Sequence, residues 1–116
     1  MHYTDLEPVA RIAFSDMPHE EALEWAARLG WHSSQSFGDP LRYAGYKDVP
    51  VSWLLCENDL SIPKEYQETA IELIGRKTQR EVHVTAIPAG HVPYGSGLEG
   101  VTAWMKNMLD IHSVGR

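Results

Sequence analysis

An almost unbroken apolar run behind a proline, Val51-Ser52-Trp53-Leu54-Leu55-Cys56 after Pro50, restricts what this chain can fold into more than any other feature. A strand with one wet face alternates apolar and polar residues. A short run without alternation predicts a strand covered on both faces, as in a parallel sheet flanked by helices. The residues that follow fit that demand. Pro63 opens a predicted helix in which Tyr66, Ala70, Leu73 and Ile74 share a stripe, with Glu65 and Glu68 in its early turns, near the positive end of the dipole. Glu81 to Ile87 then alternates Val82, Val84 and Ala86 against Glu81, His83 and Thr85, the pattern of a second strand nearer an edge. Ser96-Gly97-Leu98-Glu99 fits a capping box, and behind it Val101, Trp104, Met105 and Met108 form another helical stripe. The expectation is an α/β fold with a parallel β-α-β-α unit.

The first forty residues have another character. Residues 7–15 are short and mixed and favour a turn or two of helix. Asp16-Met17-Pro18 announces a firmer one, with His19, Glu20 and Glu21 in its first turn. Ala22, Trp25, Ala26 and Leu29 recur at helical spacing, and Gly30 is placed to stop the helix. Residues 31–40 are polar and turn-rich and read as a connection. The expected division is therefore a helical segment and connection over 1–40 and an α/β portion over 41–116.

Composition excludes more than it identifies. The 116 residues allow one domain at most, and an apolar fraction of 43% with four tryptophans suits a packed protein rather than a disordered one. A net charge of −6 without any Lys/Arg cluster argues against nucleic acid and anionic lipid as partners. Cys56 stands alone, so no disulfide forms within the chain, which suits a reducing compartment. No signal-peptide pattern and no run of about 18 apolar residues appears, so the expectation is a soluble cytoplasmic protein. The six histidines are scattered, and His19-Glu20 lacks the second histidine of His-Glu-x-x-His, so neither a metal nor another cofactor is expected.

The topology gives two loops a common address. A βαβ crossover makes its strands parallel, and open α/β sheets place ligands beyond the carboxyl ends of such strands. Asp59 lies in the loop after the first strand and His91 in the loop after the second. Adjacent strands are about 4.8 Å apart, close enough for these side chains to meet. A carboxylate beside an imidazole fixes the tautomer and stabilises the imidazolium, leaving the other ring nitrogen to act as a general base. Taken singly, Asp59 reads as a turn former and His91 as an exposed loop residue. Other candidates read as structural: Cys56 as a small buried hydrophobe, Ser33, Ser34 and Ser36 as loop solvation, and Ser96 as a helix cap.

These segments resemble the C-terminal half of the α/β-hydrolase superfamily. Tyr46 to Pro63 is similar to its penultimate strand and acid loop, and Ala89-Gly90-His91-Val92-Pro93 to its histidine loop. Phe14-Ser15-Asp16-Met17-Pro18, followed by Glu21, Ala22 and Trp25, resembles the end of the cap region in fungal and bacterial small-ester hydrolases. The resemblance implies a partial α/β-hydrolase fold preceded by a helical cap remnant, with Asp59 as triad acid and His91 as triad base. It also implies hydrolysis of a small-molecule ester, thioester or lactone, with secondary metabolism as a setting, and no cofactor. The sequence departs from the family in one large respect. No Gly-x-Ser-x-Gly elbow is present, the nearest string being Tyr94-Gly95-Ser96-Gly97.

A central parallel strand also needs neighbours that this sequence does not visibly supply. The expectation is self-association or a completing polypeptide, the chain being either a truncated product or a subunit. Two alternatives remain open from sequence: a non-catalytic remnant or interaction protein, and a lyase or isomerase run by the Asp59–His91 dyad alone.

Overall fold

The computed structural model of the chain describes residues 5–30 and 33–113; Trp31 and His32, in the expected connection, lie outside them. Two helices, α1 (Leu6–Ala13) and α2 (His19–Ala27), come first. Two 3-10 turns, Ser34–Phe37 and Gly45–Lys47, lead to strand β1 (Ser52–Cys56). Helix α3 (Lys64–Thr78) connects it to strand β2 (His83–Ile87), and a short α4 (Pro93–Ser96) precedes α5 (Leu98–Ser113). Helices thus combine with a two-stranded parallel sheet, in register from Ser52 opposite His83 to Cys56 opposite Ile87. This is an α/β arrangement, with the β-α-β-α order expected from the hydrophobic pattern.

The N-terminal helices pair through small residues. Asp5 caps α1 by accepting from the Glu7 N–H at 3.2 Å, and Glu7 binds Arg11 one turn on at 3.1 Å. Ala10, Ala22 and Ala26 are each 1% exposed and share a buried cluster with Phe14, 2% exposed, against whose ring Trp25 packs with centroids 6.1 Å apart. Val92, from the far end of the sequence, joins the same cluster. Helix α2 ends before Gly30, since the Arg28 N–H already closes on the Trp25 carbonyl at 3.1 Å. At its start Pro18 stands at the N-cap position without a side-chain bond.

Packing around the sheet departs from the periodicity. Tyr66 (69% exposed) and Leu73, half of the expected α3 stripe, face outward, while Gln67 is buried. The reason is the edge of β1. Val51 and Glu57 bond to β2 through the His83 N–H and the Ile87 carbonyl, so the intervening even-numbered residues direct their backbone groups the other way. Gln67 turns inward to meet one of them. Its Oε1 accepts from the Cys56 N–H at 3.1 Å and from Trp53 Nε1 at 3.3 Å, and its Nε2 donates to the Cys56 and Ile62 carbonyls, both at 2.9 Å. One buried amide thereby satisfies both backbone groups of Cys56, as a neighbouring strand would.

Coverage of the sheet is incomplete. Only Leu55 and Cys56 of β1 are buried, and on β2 the apolar Val84 and Ala86 are exposed while Thr85 and Ile87 are the better covered. The strand expected to be enclosed on both faces is enclosed at one end. Pro50, Ser52, Trp104, Met105, Met108 and Leu109 line an open apolar groove where α5 meets the start of β1. There the buried Trp104 Nε1 has no hydrogen-bond partner among the described residues. The accessible surface is 8456 Å² where a folded chain of this mass shows about 6400 Å². The radius of gyration is 16.2 Å where about 13 Å is usual.

Candidate active site

The acid and histidine loops are laced together beyond the strands that carry them. The Glu57 N–H donates to the Ile87 carbonyl and the Asn58 N–H to the Ala89 carbonyl, each at 3.0 Å. This extends the parallel pairing to the residues just before Asp59 and His91. Asp59 is 8% exposed, and both of its carboxylate oxygens have partners. Oδ1 takes the Ser61 and Ile62 N–H groups at 2.8 and 2.9 Å, and Oδ2 lies 3.0 Å from His91 Nδ1. The turn-forming role and the histidine-binding role are both real, and each oxygen carries one of them.

The His91 side chain remains 36% exposed. With Nδ1–H donated to a carboxylate that two backbone N–H groups hold in place, the neutral ring keeps its lone pair on Nε2. A ring so placed can take a proton from an alcohol or water, and the adjacent carboxylate favours the resulting imidazolium. The structure therefore brings together the two residues singled out from sequence, in a geometry that suits general-base chemistry.

Other candidates fall away from the dyad. Cys56 is buried in β1, and burial first, then the negative charges of Asp59 and Asp16, push its thiol above the ordinary value of 9.0. That is the reverse of what activates a cysteine nucleophile. Ser96 ends the short α4 rather than capping α5, and its hydroxyl donates to Asp16 Oδ2 at 2.5 Å. The capping-box expectation fails because α5 begins at Leu98 and the Gly97 carbonyl accepts its first bond, which puts Gly97 and not Ser96 at the N-cap. Ser36 Oγ donates to the Ser33 carbonyl at 2.7 Å, a local turn in the connection. Among the described residues no group of three His, Cys, Asp or Glu side chains could hold a metal ion, and no helix is long and apolar enough to cross a membrane.

The sequence reading gave no role at this site to two residues, Asp16 and Gly90. Asp16 Oδ2 also accepts from the Gly90 N–H at 2.7 Å, directly before His91. Gly90 is buried, and a Cβ there would stand 2.8 Å from Asp16 Oδ1, so the approach requires glycine. A contact across 74 residues leaves no local pattern to read. The glycine beside a histidine was the one available hint.

Over 91 residues the chain is 36% identical to Probable hydrolase R7 of Phoma sp., a match that takes in 78% of this chain and 37% of that protein. The matched stretch is thus little more than a third of that relative's length. No family model matches the sequence, and no solved structure matches it significantly.

Proposed function

We propose that this chain supplies the acid–histidine part of a serine-hydrolase site of the α/β-hydrolase type, acting on a small-molecule ester, thioester or lactone. The observation that carries the reading is the His91 Nδ1 to Asp59 Oδ2 contact of 3.0 Å, made by a buried carboxylate at the ends of two parallel strands. Asp59 holds the ring and stabilises the imidazolium. His91 Nε2 takes the nucleophile's proton and later returns one to the leaving alcohol or thiol. The similarity to a protein named as a hydrolase supports the reaction class.

On this reading the nucleophile and the oxyanion donors come from polypeptide outside the 116 residues, joined to them in one longer product or supplied by a partner. The 37% share of the relative and the open apolar groove between α5 and the start of β1 both favour completion. The test is an ester-hydrolysis assay on the completed assembly, with fluorophosphonate labelling of its serine. His91→Ala is expected to lower kcat by roughly 10⁴-fold or more, as for triad members generally. Full turnover by that variant would overturn the reading. On the 116 residues alone no labelling is expected, and labelling lost in Ser96→Ala would reassign that serine as the nucleophile.

A further inference from the structure

We infer that Asp16 is a positioning residue for His91, so that the N-terminal helix pair belongs to the histidine's support rather than standing beside it; the inference rests on the hydrolase reading above only for its kinetic consequence. The segment between α1 and α2 grips the histidine loop on both sides of the ring. Ahead of His91, Asp16 Oδ2 holds the Gly90 N–H at 2.7 Å. Behind it, the same oxygen takes the Ser96 hydroxyl at 2.5 Å, and Val92 is buried in the α1–α2 cluster with Phe14. The approach is tightest at Gly90, where a Cβ would meet Asp16 Oδ1 at 2.8 Å. Trp25 of α2 packs edge-on against Tyr94, with ring centroids 6.3 Å apart.

The physical reason for such a grip lies in what Asp59 cannot do. Its contact fixes one nitrogen of the ring, which leaves the imidazole free to pivot with its own backbone. Three residues, 90 to 92, decide where that backbone lies, and β2 ends at Ile87 before reaching them. A carboxylate accepting a backbone N–H and a hydroxyl makes two charge-assisted bonds, stronger than neutral ones. Asp16 thus does for the histidine's backbone what Asp59 does for its ring. A misplacement of about 1 Å at a reacting group costs on the order of 10²-fold in rate.

The experiment compares Asp16→Ala, Asp16→Asn and Ser96→Ala by NMR of the chain, following the His91 Nδ1–H proton and the Gly90 amide. Asp16→Ala is expected to move the Gly90 amide upfield and to broaden or abolish the His91 signal, with circular dichroism retained. Asp16→Asn keeps an oxygen acceptor and is expected to restore most of both signals. Ser96→Ala, which removes one bond of the two, tests the grip should Asp16→Ala not fold, and is expected to shift the Gly90 amide and weaken the His91 signal in part. In the completed enzyme Asp16→Ala is expected to lower kcat about 10²-fold with KM little changed. An unaltered His91 signal in folded Asp16→Ala, or in Ser96→Ala if that variant alone folds, would overturn the inference. Altered NMR signals in an assembly without hydrolase activity would leave the positioning role standing and sink the hydrolase reading alone.

Discussion

The two ends of the sheet differ in how finished they are. At the carboxyl end of the strands, the N-terminal helices, the acid loop and the histidine loop close over one another, and every side-chain contact of Asp59 and Asp16 described above serves that closure. Toward the start of β1, α5 and the strand leave Met105 (57% exposed) and Leu109 (72%) in the open, beside a tryptophan N–H with no partner among the described residues. A chain can complete a polar site locally, with caps, turns and a few long-range hydrogen bonds. It cannot cover a sheet without further layers.

The contrast can be broken from the finished side first. Phe14→Ala removes the largest buried side chain of the helix cluster and should cost about 3–5 kcal/mol in urea unfolding, enough to unfold a marginal chain. A loss below about 1 kcal/mol would mean that the helix pair is no real core. Gln67→Ala comes next, because it strips the Cys56 N–H and carbonyl of their partner. The expected cost is about 2–3 kcal/mol, again by urea titration, since each orphaned buried group costs about 1–3 kcal/mol. A near-neutral result would show the β1 edge already open to water.

The unfinished side predicts a different response. Met105→Lys together with Leu109→Lys should change the stability of the unassociated chain by less than about 0.5 kcal/mol per site, as exposed positions do. The same pair should abolish any association seen by light scattering, which unchanged association would refute. Smallest is the effect of Cys56. Its folded thiol titrates above the ordinary 9.0, so the folded state keeps its proton where the unfolded state loses it. The resulting contribution is intact below pH 9 and declines as pH rises beyond it. Cys56→Ala should flatten that decline, and an unchanged alkaline slope would assign it to other groups.

Legibility followed the range of the interactions. The apolar run at Val51–Cys56 and the alternation into Ile87 were enough to anticipate β1 and β2 within a residue or two, and Pro63 marked the start of α3. The connection of parallel strands was enough to bring Asp59 and His91 to one edge. Burial was read less well. Tyr66 and Leu73 looked like the buried stripe of α3, yet Gln67 holds the inward position, because hydrogen-bond demand at a strand edge outweighed hydrophobic periodicity. Ser96 looked like a cap, but α5 begins at Leu98 and the Ser96 hydroxyl donates to Asp16.

The sequence by itself determined the order of elements, the parallel sense of the strands and the identity of the acid–histidine pair. Each is written in local periodicity, turn chemistry or crossover geometry. Only the tertiary structure decided that Asp16 reaches Gly90 and Ser96, that Gln67 stands in for a strand, and that the sheet is covered at one end alone. Those outcomes depend on which distant groups compete for a given donor or a given patch of apolar surface. That competition is settled in three dimensions, among partners as far apart as 80 residues.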